Sequence, residues 1–271
     1  MRARQLWWFP LCTHLAFAGG IAVSPPRFDI LLTGPTAAES LRVVNLGETP
    51  LHLKVSVAHF GLDEENRLVS LPPTEQSADQ WMVITPLEFV VEPQKSQTVR
   101  FAIRPRVKPQ PGEHRAMIFL EEQPPEEKNL VMRNLARIGI GVYVNVPPVE
   151  RRAQVHCVDV VWDGSQALGM LDVESLGNAH VRPAMTYILW PLHAFPGQPG
   201  TPLTRGPEGS LLTPPGALRA GDVPDIPVLP GTRRLIRFPL GALEAGEYWV
   251  ELAGRVANEE LAVALPLRVV R

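Results

Sequence analysis

The side chains that could perform catalysis or bind a metal ion in this chain are its seven histidines and two cysteines. His156 and Cys157 are adjacent and Asp159 follows, but neighbouring residues of a strand point to opposite faces, so this group is poorly placed to chelate one ion. His52 and His59 lie seven residues apart and also fall on opposite sides of a strand. The spacing therefore predicts no metal site.

Catalytic motifs are also missing from the sequence. It contains no Gly-x-Ser-x-Gly elbow, no phosphate-binding glycine loop and no paired Cys and His arrangement for nucleophilic attack. The acidic run at 63–66 lacks the glycine and the distal glutamate of a calcium-binding hand loop, and it fits an exposed hairpin tip. His114, at the junction of a turn and a strand, is interpreted as a surface residue rather than a general base. We expect no enzymatic activity and no cofactor.

The elements that carry these residues are short strands. Proline occupies 29 of 271 positions, about twice its ordinary frequency, and this density disfavours long helices while suiting strand edges and turns. Leu51–Ala58 alternates apolar and polar residues, which is typical of a half-buried strand. The sequence therefore predicts an all-β protein. Its formal net charge of -2 gives no basic face for nucleic acid.

The N-terminus has the layout of a secretory signal peptide. Two arginines among the first four residues precede a mostly apolar stretch, and small residues near its end offer cleavage after Ala18 or Ala22. We therefore assign residues 1–22 to a cleaved leader. The alternative is a membrane anchor, but the apolar run is short for one and is interrupted by Pro10. After cleavage Cys157 is the remaining cysteine, so no internal disulfide is expected.

Two β domains follow the leader. Residues 23–148 contain seven short strands separated by turns, which is the pattern of a seven-stranded sandwich. The pair Pro147-Pro148 marks the boundary, because it ends the last strand and stiffens the joint. Residues 149–271 hold a second set of strands, with a Pro- and Gly-rich segment at 193–230 that is predicted to be a long loop.

The first domain contains four short motifs in a fixed order. They are Asn45-x-Gly47-x-x-Pro50, Thr85-Pro86, Glu92-Pro93 and Gln97-Thr98-Val99-Arg100. In these motifs the chain resembles the N-terminal immunoglobulin-like domain of the periplasmic pilus-assembly chaperones. The resemblance implies two tandem immunoglobulin-like β-sandwich domains and a location in the periplasm. It also implies binding of pilin-like subunits without ATP, and cooperation with an outer-membrane usher.

The last strand of the first domain has a continuous apolar face. Ala136, Ile138 and Ile140 alternate with polar or glycine residues, and Leu130 and Met132 precede them. In the chaperones that the chain resembles, this strand is an edge strand that inserts alternate apolar side chains into the groove of an incomplete pilin subunit. The resemblance therefore implies that these five residues form the donor edge, with affinity from backbone hydrogen bonds. The alternative is that Leu130, Met132 and their neighbours complete the domain's own core.

The same family holds the C-terminal carboxylate of a subunit with two basic residues, one on the first strand and one on the last strand of the first domain. By resemblance the candidates are Arg27 and Arg137, since an arginine fork grips a carboxylate with two hydrogen bonds. The lysine that the family carries nearer the end of the last strand is missing here, where residues 139–143 read Gly-Ile-Gly-Val-Tyr. The alternative for Arg27 is an exposed residue at a strand end.

These observations predict a periplasmic chaperone that binds unfinished pilus-type subunits by β-strand donation. The alternative is a structural scaffold protein of the envelope that uses the same domains and has no chaperone activity. A carbohydrate-binding or adhesive sandwich is less favoured, because four of the tryptophans lie within apolar strands rather than on an evident platform. These are Trp81, Trp162, Trp190 and Trp249.

Overall fold

The computed structural model describes residues 16–18, 20–124 and 135–270. In these ranges the chain is almost wholly β-structure, and the helices are two short 3-10 turns, Ala78–Trp81 and Leu192–Ala194. Neither of these described helices has the length and apolar character needed to cross a membrane. The predicted all-β fold of two tandem immunoglobulin-like β-sandwich domains is confirmed.

The described residues divide into two compact units, and the division is not a single cut in the chain. The first unit comprises the described residues up to Gly61, Val69–Gln110 and His114–Pro147. The second unit comprises Leu62–Leu68, Pro111–Glu113 and the described residues from Pro148 onward. Two short segments of the N-terminal half therefore belong to the second unit.

Twelve strands lie in the N-terminal half of the described chain. In order they are β1 Ala16–Ala18, β2 Ile21–Ser24, β3 Arg27–Leu31, β4 Ala37–Asn45, β5 Leu51–Ala58, β6 Phe60–Leu62, β7 Leu68–Ser70, β8 Met82–Thr85, β9 Glu88–Val91, β10 Ser96–Ile103, β11 Gly112–Glu122 and β12 Arg137–Val146. One sheet has the order β1-β2-β4-β10-β8 and the other has the order β3-β12-β11-β5-β9. The strands β6 and β7 form a separate hairpin.

The core of the first unit lies between these two sheets. Leu51, Leu53 and Val55 on β5 point into it, while the residues between them are exposed, because successive side chains of a strand leave opposite faces. Phe28 of one sheet meets Phe101 of the other edge-to-face, with ring centroids 4.9 Å apart. This geometry is the favoured one for aromatic pairs. The alternating pattern of the sequence thus accounts for the packing.

The second unit contains the remaining strands. They are β13 Ala153–Trp162, β14 Ala167–Ser175, β15 Pro183–Pro191, β16 Arg219–Asp222, β17 Arg233–Gly241, β18 Gly246–Val256 and β19 Glu259–Val269. They form one sheet in the order β13-β14-β17 and a second in the order β16-β15-β18-β19. A second hydrophobic core, which includes Leu171, Tyr187 and Val250, lies between these sheets.

The long loop that the sequence predicted at 193–230 contains regular structure. Its strand β16 pairs with β15, from Arg219 opposite Leu189 to Asp222 opposite Thr186. The preceding part, residues 192–218, is here called the strap. The strap contacts the face of β15 and β18 that points away from the core, where Phe195 stacks on Trp249 with ring centroids 5.1 Å apart.

A buried carboxylate fastens the strap. Glu251 on β18 is 1% exposed and accepts hydrogen bonds from the backbone N–H groups of Gly200 at 2.6 Å and Thr201 at 2.5 Å. The Thr201 hydroxyl donates to it at 2.9 Å, and the indole N–H of Trp190 donates at 3.2 Å. A charge this deeply buried requires such partners, because desolvation is costly. Glu251 therefore fixes the strap to the sheet.

Candidate functional site at an open strand edge

The strand β12, which the sequence analysis marked as functional, lies between β3 and β11 in its sheet. Its parallel pairing with β3 runs from Gly141, opposite Arg27, to Asn145, opposite Leu31. Residues 137–140 of β12 extend past the start of β3. In the described part of the chain, no strand pairs with them on that side.

The backbone groups at this open side can be assigned. The Asn145 carbonyl accepts a hydrogen bond from Leu32 next to β3 at 2.8 Å, whereas the Ala136 carbonyl accepts one from β11 at 2.9 Å. Since alternate residues of a strand direct their N–H and C=O groups to opposite neighbours, the odd-numbered residues of β12 face the β3 side. Arg137 and Gly139 therefore present N–H and C=O groups to the open side. Such a row is a template for another strand.

The side chains predicted to be donated are placed differently. Ile138 is 8% exposed and Ile140 is 0% exposed, and both belong to the core of their own unit, against which Ala136 is also packed. Because β12 lies within its sheet, the face that carries Ile138 and Ile140 closes the core of the unit, and their role as donors stays a prediction. Leu130 and Met132 lie outside the described residues, and their role stays a prediction.

The guanidinium group of Arg137 lies on the outer face beside the open edge. Its Nε atom is 2.8 Å from Oε1 of Glu121, and its central carbon is 3.9 Å from the ring centroid of Phe119. The side chain is 57% exposed. An exposed ion pair of this kind contributes only about 0–1 kcal/mol. Arg137 could therefore exchange Glu121 for another carboxylate at little cost.

Arg27 is not brought next to Arg137. It is the first residue of β3 and lies opposite Gly141, four residues along β12 from Arg137. That separation corresponds to roughly 13 Å at the usual rise of a parallel strand. The Nε atom of Arg27 is 3.6 Å from a carboxylate oxygen of Asp29. The two arginines share the outer face without forming one clamp, and their role as a carboxylate anchor stays a prediction.

The outer face near the missing lysine is filled by other side chains. A Cβ atom on Gly139 would lie 3.0 Å from the sulfur of Met117, and one on Gly141 would lie 3.1 Å from the ring of Tyr143. Tyr143 is itself buried and packs edge-to-face on Phe60, with centroids 5.9 Å apart. These contacts leave little room for a longer side chain, which explains the two glycines.

His156 and Cys157, the adjacent pair considered in the sequence analysis, both lie on β13. Within the described residues, no three His, Cys, Asp or Glu side chains are grouped so that they could hold a metal ion. The Nε2 atom of His156 instead lies 2.8 Å from a carboxylate oxygen of Glu174, across the β13–β14 pair. Cys157 is an exposed free thiol.

His114 differs from its expected position at the surface, because it is buried. Its Nδ1 atom lies 2.6 Å from the carbonyl oxygen of Gln76, and its Nε2 atom lies 2.8 Å from that of Gln110. The ring centroid is 4.5 Å from that of Trp81. The sequence could not indicate this role, since Gln76 and Trp81 are distant along the chain.

Two buried polar groups that sequence analysis did not single out lie in the second unit. Arg182 Nε donates to His180 Nε2 at 3.0 Å, so the other ring nitrogen of His180 is the one that donates to the Glu113 carboxylate. Arg234 on β17 is also buried and donates to the Leu62 carbonyl at 2.5 Å. Burial lowers the pKa of Arg234 below its usual range. These contacts join the two short segments to the rest of the second unit.

Comparison with known proteins points to one family. Residues 22–145 match the model of the pili and flagellar-assembly chaperones, PapD N-terminal domain. A comparison with curated proteins gives no match. Among solved structures, the YadV chaperone is 12% identical with a TM-score of 0.42, covering 93% of this chain and 100% of that chain.

Two further structures are complexes. A chain from the Salmonella enterica SafA pilin–SafB chaperone complex is 14% identical with a TM-score of 0.45, covering 94% of this chain and 98% of that chain. A chain from the CsuC-CsuE chaperone-tip adhesion subunit pre-assembly complex of Acinetobacter baumannii is 10% identical with a TM-score of 0.44, covering 92% and 98%.

The family match covers the domain that contains β12 and the four ordered motifs. It confirms the resemblance noted in the sequence. Residues 22–145 are therefore similar to the N-terminal domain of the pili and flagellar-assembly chaperones.

Proposed function

We propose that the chain is a periplasmic chaperone that binds pilin-like subunits by pairing a subunit strand with the open edge of β12. The observation that supports this most directly is the pair of outward-directed backbone positions, Arg137 and Gly139, in a domain of the chaperone family. A β-strand that binds there would continue the sheet where β3 stops. Backbone hydrogen bonds would give the affinity, and side-chain pockets would give the specificity.

The proposed donor side chains lie toward the start of β12 rather than along all of it. Because Ile138 and Ile140 are packed in their own core, Ala136 is the first of the predicted donors that is only partly buried. Leu130 and Met132 share its period-two parity in the sequence. Binding driven by backbone pairing and apolar burial needs no nucleotide, so we propose that the chaperone acts without ATP.

Arg137 is the better candidate for recognising an acidic group of the subunit. The backbone of Arg137 itself forms part of the open edge, and the contact of its side chain with Glu121 is exposed. We propose that a subunit carboxylate takes the place of Glu121 there, while Arg27 contacts a more distant part of the same partner. Export through a cleaved leader and delivery of subunits to an outer-membrane usher complete the proposal.

The backbone edge can be tested with two variants at one position. Gly139→Pro removes the outward N–H and places a ring there, whereas Gly139→Ala adds a similar clash with Met117 and keeps the N–H. We expect the chain, co-expressed with small exported pilin-like proteins, to form a one-to-one complex that Gly139→Ala retains. We expect Gly139→Pro to weaken that complex at least about fivefold, since a backbone hydrogen bond contributes about 1 kcal/mol and the ring blocks the approach.

Equal affinities of the two variants, measured by titration calorimetry, would show that the subunit does not use this edge. A chain that forms no complex with any exported pilin-like protein would favour the alternative, a structural scaffold of the envelope.

A further inference from the structure

The residues just before the first family motif are part of the folded core. Ile21 is 1% exposed, Ala22 is 2% exposed and Val23 is 0% exposed. Ile21 and Val23 belong to the hydrophobic core of the first unit. They are supplied by β2, which has β4 as its inner neighbour in the sheet.

Backbone pairing also requires residues 20–22 to be present. Ile21 lies opposite Asn45, and Ala22 lies opposite Val44 on β4. The carbonyl of Gly20 also accepts a hydrogen bond from the N–H of Leu46 at 2.7 Å. A mature chain that started at Val23 would lose these pairs and would leave the core beside β4 uncovered. The fold therefore requires the chain from Gly20 onward.

The strand β1, in contrast, takes no part in the β2–β4 pairing. It is the outermost strand of the sheet and pairs with β2 alone, from Ala16 opposite Val23 to Ala18 opposite Ile21. Its removal leaves the β2–β4 pairing complete. The sequence Ala16-Phe17-Ala18 also places small residues at the two positions that a signal peptidase selects.

We infer that the leader is cut between Ala18 and Gly19, and not after Ala22. The step is hydrolysis of one peptide bond by a signal peptidase, in which water gives the carboxylate of Ala18 and the free amine of Gly19. The inference rests on the proposed export of the chain. It deepens that proposal by choosing between two sites that the sequence left open, because only one of them spares the core strand.

The intact mass and N-terminal sequence of the exported full-length chain test this inference. We expect a mature protein that begins at Gly19. Ala18→Leu, which puts a large side chain at the cleaved position, should abolish this processing and leave the precursor to accumulate. If the cut lay after Ala22, position 18 would be remote from the cleaved bond, and Ala18→Leu would leave processing unchanged.

Stability of the two possible mature chains provides a second measurement. Protein beginning at Gly19 and protein beginning at Val23 can be made without a leader and compared by thermal unfolding. We expect the Val23 chain to have a midpoint lower by at least about 5 °C, since it lacks a buried isoleucine and its ladder pairs. A mature N-terminus at Val23, or equal midpoints, would overturn the inference but not the proposed export. A chain that is never cleaved and never leaves the cytosol would overturn both.

Discussion

At the scale of single residues, the most informative side chain is His114. Both of its ring nitrogens face backbone carbonyl oxygens, those of Gln76 and Gln110, and a carbonyl can only accept a hydrogen bond. Either ring nitrogen can therefore donate to the carbonyl that it faces, depending on the tautomer. The ring holds two loops of the first unit together while it packs against Trp81.

We predict that His114→Phe lowers the free energy of unfolding of the first unit by about 1–3 kcal/mol. Phenylalanine keeps the ring against Trp81 but removes the N–H donor, and a buried carbonyl left without a donor costs about 1–3 kcal/mol. Urea unfolding followed by circular dichroism measures the change. The same substitution at the exposed His52 is the control, with an expected change within about 0.5 kcal/mol. Equal effects at the two positions would refute the role of His114.

At the scale of elements, the strap shows how one buried charge can order a Pro- and Gly-rich segment. Between Phe195 and Leu218 the strap has no named helix or strand of its own, so the ordering depends on partners in the adjoining sheet. Glu251 supplies acceptors for Gly200 and Thr201, and Trp249 supplies a stacking surface for Phe195. Arg205 also pairs with Asp222 on β16 at 2.6 Å, so the long loop is fixed to the sheet at several points.

We predict that Glu251→Ala releases the strap and destabilises the second unit by about 3 kcal/mol, because the donors of the strap lose a buried charged acceptor. Hydrogen exchange should accelerate at the amides of Gly200 and Thr201 by at least about tenfold. Glu247→Ala, at an exposed position of the same strand, is the control and should change neither quantity. If both amides kept their protection from hydrogen exchange in Glu251→Ala, Glu251 would not be the residue that holds the strap on the sheet.

At the scale of the whole molecule, the second unit is not contained in the C-terminal half of the chain. It includes Leu62–Leu68 and Pro111–Glu113, which supply partners to buried groups. Arg234 donates to backbone carbonyls of the first segment, and His180 contacts the carboxylate of Glu113 in the second. Buried charges that lose their partners are strongly destabilising, by about 3–5 kcal/mol.

We therefore predict that residues 148–271, produced alone, unfold at lower denaturant than the same unit in the full chain. The variant Arg234→Met tests the contact between Arg234 and the Leu62 carbonyl directly. In the full chain this variant should cost about 2 kcal/mol, because the carbonyl of Leu62 loses its donor. In the fragment it should be neutral or stabilising, because the charge already has no partner there. Tryptophan fluorescence of the C-terminal unit measures unfolding in the full chain and in the fragment. If Arg234→Met lowered the free energy of unfolding equally in both, the prediction would be wrong.

Local patterns in the sequence predicted the fold class and the resemblance to the chaperone family. Period-two alternation in segments such as Leu51–Ala58 and residues 136–146 predicts strands. Successive side chains of a strand point to opposite faces, so alternate residues face the core and the solvent. The motifs from Asn45 to Arg100 specify turns and strand ends, and they were sufficient to indicate the chaperone family. Both inferences need no knowledge of which strands are neighbours.

The tertiary structure alone decided which face and which edge of β12 are available. Parity groups Ala136, Ile138 and Ile140 on one face of β12, but only the position of β3 shows that the backbone groups of Arg137 and Gly139 are open at the edge of the strand. The roles of His114 and Glu251 likewise depend on partners dozens of residues away. A local pattern contains the direction of a side chain relative to its own strand. It does not specify which strands and side chains lie beside that strand, because long-range packing sets these neighbours.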